Sequence, residues 1–208
     1  ASSISIITNK NIRDSGEDNW LGFLDKIPNL NWAGGTSRPR YFQIRGIGEN
    51  SHYFGEGPPN FSIGYVVDDM DISGMGMVGQ LFDVQQIEVF KGPQSSVYGA
   101  NAIAGLISIY SNNPTDNLKI QSALHFGSDN YFGMSALLSN KITENTAFRL
   151  SGIFNMSDGF SNNISKNRSD TNSKQESLLR IKLRFTPSKK ITLLNTMLYA
   201  HIDNGYDI

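Results

Sequence analysis

Between Leu179 and Thr186 the chain alternates without a break, with Leu179, Ile181, Leu183 and Phe185 set against Arg180, Lys182, Arg184 and Thr186. At a period of two, the first set lies on one face of a β-strand and the second on the other. Four large apolar groups on one face and three cations on the other require two very different solvents. The same alternation occurs earlier. Leu118, Ile120, Leu124 and Phe126 oppose Lys119, Gln121 and His125, and Phe148, Leu150, Phe154 and Met156 oppose Arg149, Ser151 and Asn155. Tyr131–Asn140 and Ile191–His201 complete five candidate strands. Each is roughly ten residues long, which is what a tilted strand needs to cross a bilayer.

The connections fit that geometry. Asn140–Asn145 and Pro187–Lys190 are short, while Asp158–Glu176 is long and polar. Short turns on the periplasmic side and longer outer loops are the pattern of outer-membrane barrels, with the tight Ser128–Asn130 as an exception. An antiparallel sandwich with one wet face satisfies the same alternation and stays open at this point. No apolar run approaches the roughly 18 residues of a membrane helix, which excludes a helical inner-membrane protein but not a barrel.

Composition narrows the classes further. A net charge of -1 offers no basic excess for nucleic acid, and the absence of cysteine removes thiolate metal sites, disulfides and a Cys nucleophile. Ala1–Lys10 has neither the basic start nor the apolar core of a signal peptide, so an export signal is expected to have been removed or to lie elsewhere. No Ser-His-Asp elbow, H-E-x-x-H or calcium-loop spacing is present, and neither an enzyme nor a cofactor is expected. Gly74-Met75-Gly76-Met77-Val78-Gly79 matches the dinucleotide fingerprint by letter. However, Asp68, Asp69, Met70 and Asp71 separate it from the strand ending near Val67, so it reads as an exposed loop.

Up to about Thr115 the grammar differs. Strands are expected at Ile4–Ile7, Tyr41–Arg45, Ser62–Val67, Ile87–Phe90 and Gly105–Tyr110, with a helix over Asp18–Ile27 stopped by Pro28. Ile87-Glu88-Val89-Phe90-Lys91-Gly92-Pro93-Gln94 leads through Tyr98-Gly99 and a Gly-Ala crossing into Leu106-Ile107-Ser108-Ile109. That is a strand, a sharp break, a turn and a second strand, with Gly105 allowing close backbone approach. The stretch resembles the plug signature of TonB-dependent outer-membrane receptors of the siderophore-receptor type. Ile27-Pro28-Asn29-Leu30, Ile44-Arg45-Gly46 and Tyr65-Val66-Val67-Asp68-Asp69 resemble three further motifs of that family, in the family's order.

The resemblance implies an α+β plug domain, a small mixed sheet with short helices, over residues 1–115. Antiparallel transmembrane β-barrel strands follow over 116–208, as part of a plugged barrel of about 22 strands. It implies TonB-dependent uptake of a scarce nutrient across the bacterial outer membrane. The expected partners are TonB (through an N-terminal box), a ferric siderophore or similar chelate, and outer-membrane lipid. Haem, cobalamin or a glycan as cargo, or a non-transporting β-rich binding or adhesion module, are the alternatives. By correspondence, Trp32–Ser37, Gly48–Asn60 and Ser73–Gly79 point outward, making Trp32, Ser51, His52, Tyr53, Phe54, Gly74 and Met75 candidate ligand contacts. Arg45 and Lys91 correspond to plug cations that latch onto barrel glutamates, with Glu88 beside them ordering the strand. A Lys in place of the commoner Arg lacks the bidentate fork. His52, His125 and His201 all fall toward the outer end, which keeps haem or metal capture in view.

Overall fold

The computed structural model describes residues 3–16, 21–24, 26–33, 41–49, 61–74, 80–165, 167–168 and 171–205. In chain order the elements are Ser3–Thr8 (β1), Asn9–Ser15 (α1), Leu21–Leu24 (α2), Leu30–Ala33 (β2), Tyr41–Ile44 (β3), Ile47–Gly48 (β4), Ile63–Val67 (β5), Met70–Asp71 (β6) and Val84–Lys91 (β7). Ser95–Tyr98 (α3), Gly105–Ser111 (β8), Lys119–Phe126 (β9), Phe132–Thr143 (β10), Thr146–Ser157 (β11), Lys174–Ser188 (β12) and Ile191–Asn204 (β13) follow. They form two compact units, Ala1–Ser111 and Asn112–Ile208.

The first unit is built on a mixed sheet in the order β1-β7-β8-β5-β6, with β5 parallel to β8 and the other pairings antiparallel. Ile63-Gly64-Tyr65-Val66-Val67 is buried at every position, which suits a strand covered on both faces. On one face Ile87 and Val89 of β7 stand opposite Ile109 and Ile107 of β8, and Phe42 of β3 stacks on Tyr65 at 6.0 Å. On the other face Val66, Leu106 and Ala102 form a cluster completed by Phe90 and Tyr98.

Gly105 joins these layers. A Cβ there would lie 2.6 Å from Ile44 Cδ1 and 2.6 Å from the Phe90 carbonyl oxygen, so the close approach expected of this glycine is present.

Two local expectations change. The strand at Tyr41 ends at Ile44, because Arg45 adopts a left-handed conformation (φ 55°) and turns the chain into β4. The helix expected over Asp18–Ile27 is a single turn, Leu21–Leu24, among the described residues. Lys26 and Ile27 then donate to the Phe23 and Leu24 carbonyls in a closing turn, and Asn29 (φ 63°) reverses the chain. A helix that the apolar period did not signal, α1, is set by its caps. The Asn11 N–H donates to Thr8 Oγ1 (3.3 Å), the Thr8 N–H donates to Asn11 Oδ1 (3.0 Å), and Gly16 ends it at φ 69°.

The second unit is a five-stranded antiparallel meander, β9 to β13 in order. Its register sorts the side chains into rows. On one face run Ser122–Ala136–Gly152–Leu179–Tyr199 and Ile120–Leu138–Leu150–Ile181–Met197, flanked by Phe126, Phe132 and Phe154 toward the long loop and by Phe148 and Phe185 toward the short turns. The three phenylalanines at the long-loop end contact one another at centroid distances of 5.5 and 6.5 Å. On the other face run Gln121–Leu137–Ser151–Arg180–Leu198 and Lys119–Ser139–Arg149–Lys182–Thr196.

Burial is inverted relative to a water-soluble sheet. Arg149, Arg180 and Lys182 are each 3% exposed, whereas Ile120 is 70%, Met197 61% and Leu183 41% exposed. An apolar band flanked by aromatic residues on the exposed face and polar residues on the covered one is the arrangement of a barrel wall in lipid. The one-wet-face sandwich, with its apolar face covered, does not describe this sheet.

Candidate functional site

Described residues at the edges of the three segments expected to point outward lie close together. Ala33 at the end of β2 pairs with Tyr41 at the start of β3, and the Tyr41 ring stacks on Phe61 at 6.2 Å. Gly74 lies against that same Phe61. It holds φ 74°, and a Cβ there would fall 2.0 Å from Phe61 Cζ, so both conformation and space require glycine. Glu49 closes the group by accepting from the Ser62 N–H (2.8 Å) and hydroxyl (2.5 Å). Ala33, Tyr41, Glu49, Phe61, Ser62 and Gly74 therefore share one neighbourhood of the first unit. Ser51, His52, Tyr53, Phe54 and Met75 lie outside the described residues. Trp32 is on β2 opposite Phe42 and is 46% exposed, whereas Phe42 is buried. Tyr41, Phe61, Glu49 and Ser62 were not singled out in the sequence. The signal for Phe61 was an aromatic placed directly after the Pro58-Pro59-Asn60 break.

Arg45 and Lys91 also converge. Ser3 of β1 is the register partner of Lys91, and its hydroxyl accepts from Arg45 Nη2 at 2.9 Å. Lys91 is 7% exposed at the end of β7, whereas Arg45 is exposed. Glu88 does not join them. Three residues from Lys91, it lies on the opposite face of the strand, opposite Ser108, and accepts from Gln86 Nε2 at 2.6 Å. Its charge acts instead on Tyr98. That hydroxyl is pushed up to about 12, first by its hydrogen bond with Tyr110, then by burial and by the negative charge of Tyr110, Asp69 and Glu88.

The acidic turn after β5 is structural. Asp68 accepts from the Ser111 N–H (2.8 Å) and hydroxyl (2.7 Å), tying the end of β8 to the end of β5. Asp71 is partly buried, which alone would raise its pKa. Hydrogen bonds from Ser73 and Asn101 outweigh that and hold it below the usual carboxylate range. No group of three or more His, Asp or Glu suited to a metal ion occurs among the described residues. His125 and His201 stand on β9 and β13 toward the long-loop end, on opposite faces by register, since His125 shares its row with Asn155 and His201 with Phe154.

A family model for the TonB-dependent receptor plug domain matches residues 1–106. Half of the chain is covered, and the chain belongs to that family: its first unit is an α+β plug, and its second is the opening run of antiparallel barrel strands. Solved structures agree on the fold. The ferric-catecholate import receptor Fiu from E. coli K12 superposes with a TM-score of 0.73 at 19% identity, over 95% of this chain and 26% of that one. The pyoverdine outer-membrane receptor FpvA from Pseudomonas aeruginosa PAO1 gives 0.75 at 18%, over 96% and 27%. The siderophore receptor PirA from Pseudomonas aeruginosa gives 0.70 at 22%, over 97% and 36%. The chain thus spans about a quarter to a third of the length of these receptors.

Proposed function

We propose that the full-length protein carries a ferric siderophore across the bacterial outer membrane, with energy delivered through TonB and the first unit acting as the plug of the barrel. The observation that carries this reading is the pairing of a plug-family unit with a sheet whose apolar face is exposed and whose cationic face is covered. A sheet of that kind is stable in lipid and unstable in water. The cargo is assigned on two supports. The three solved structures named above are of receptors for ferric catecholates, pyoverdine or siderophores. In this chain, an exposed Trp32 precedes Ala33, whose partner Tyr41 stacks on Phe61. An aromatic group on a surface bounded by turns suits a flat chelate. Ser51, His52, Tyr53, Phe54, Gly74 and Met75 complete the proposed contact set, and Arg45 and Lys91 are proposed to latch the plug to barrel glutamates.

The test is growth under iron limitation of a strain lacking the protein, supplied in turn with ferric trihydroxamate, tricatecholate and mixed-ligand chelates. Loss of growth on one class, restored by the intact gene, is expected. Unchanged growth and iron uptake on every class would overturn the assignment of cargo.

A further inference from the structure

The segment between the two sheets looks like a polar linker in the sequence, yet it is held along its length. The Thr115 N–H donates to Ser139 Oγ at 3.0 Å, and the two hydroxyls are 2.9 Å apart. Ser139 itself donates to the Phe148 carbonyl at 2.9 Å, which fixes its orientation. Arg149 Nη1 donates to the Asn113 carbonyl at 3.3 Å, and Arg184 Nη1 donates to the Pro114 carbonyl at 3.3 Å. Arg184 Nη2 forms an ion pair with Asp116. Residues from three successive strands, β10, β11 and β12, therefore grip four consecutive residues of the segment.

The chemistry works in both directions. The register places Lys119, Arg149 and Lys182 in one row, with Arg180 above and Arg184 below on the same face. Like charges opposite each other across strands repel. The segment brings that wall two carbonyl oxygens and a carboxylate, and charge-assisted bonds of this kind are the strong ones. Only Asn112 separates Asn113 from Ser111, which Asp68 binds twice within the first unit.

We propose that residues 112–117 are a fixed strap, with Ser139, Arg149 and Arg184 as positioning residues that hold this segment on the barrel wall. The strap rests on the barrel reading of the second unit. Its tests use no cargo, so they can succeed where the siderophore assignment fails.

The experiment uses the full-length protein in outer-membrane vesicles. In Arg149→Gln/Arg184→Gln, proteolysis within residues 112–117 is expected to accelerate roughly tenfold or more, because each lost charge-assisted bond raises the opened fraction by about that factor. Adding Thr115→Cys/Ser139→Cys and oxidising restores protection, and reduction releases it again. This chain has no cysteine of its own to compete. Cleavage as slow as in the parent, or an oxidised pair that fails to protect, overturns the proposal. Should the double Gln variant not assemble, the cysteine pair in the otherwise unchanged protein decides. Near-complete crosslinking without denaturant is expected, and failure to crosslink means the strap is not held.

Discussion

Leu150→Arg separates a lipid-facing sheet from a water-facing one. Leu150 sits on the central strand of the second unit, between Leu138 and Ile181, in a row that also contains Ile120 and Met197. It is 37% exposed. If that exposure is to water, replacing Leu by Arg shifts stability by no more than about 0.5 kcal/mol. If it is to the middle of a bilayer, the cost is about 2–4 kcal/mol. That range corresponds to a change of about 30- to 700-fold in the folding equilibrium. The assay is equilibrium folding of the full-length protein into lipid vesicles across a denaturant series, scored by the heat-dependent gel shift of folded barrels. Gln121→Arg is the control, one residue along from Ile120 and on the opposite face, where a lumen substitution costs little. A Leu150→Arg loss within about 0.5 kcal/mol of the parent, or equal to that of the control, would refute the assignment of faces.

Three further outcomes are expected. Gly105→Ala forces a methyl against Ile44 and the Phe90 carbonyl, and should destabilise the plug by about 1–3 kcal/mol, seen as faster hydrogen exchange across β7 and β8 in the full-length protein. Asp71 has a folded pKa below its usual 3.8, so its contribution to stability is complete above that value and is lost as pH falls through the lower folded one. The acid side of the denaturation profile should therefore flatten in Asp71→Asn, while parallel profiles would remove Asp71 from the account. Trp32→Ala should weaken binding of the chelate identified by the growth test by roughly tenfold, with barrel assembly unchanged. A shift under about twofold would place Trp32 outside the site.

The parts of this fold that announce themselves in the sequence are those where one physical constraint acts on many residues at once. Leu179 to Thr186 must satisfy lipid on one face and a polar interior on the other, so the alternation survives into the structure as rows. Ile87 to Ile109 is similarly legible, because a Gly-Pro break and Gly105 are needed for the two strands to pair under Ile44. What stayed hidden depends on single long-range contacts. The capping exchange between Thr8 and Asn11 sets α1 without an apolar period, and Asn at the third helical position is not the usual partner of a capping Thr. Phe61 shows its role only once Tyr41 and Gly74 are seen around it. Asn113, Pro114, Thr115 and Asp116 have a linker's composition, and only the register that sets Ser139 and Arg149 in one row, with Arg184 in the next row on the same face, turns them into a strap. On β13, Leu193 and Leu194 are adjacent and both apolar, so alternation cannot assign their faces. Pairing of Leu193 with Phe185 and of Leu194 with Arg184 does.

That last strand offers the most direct test of the central claim, that the second unit is a barrel wall with one face in lipid. Single cysteines at positions 193 to 200 of the full-length protein, labelled with an environment-sensitive fluorophore in vesicles containing brominated lipid, report the face of each residue. Strong quenching at Leu193, Asn195, Met197 and Tyr199 with little at Leu194, Thr196, Leu198 and Ala200 is the expected result. Quenching that fails to alternate, or that falls on the even positions, would contradict it.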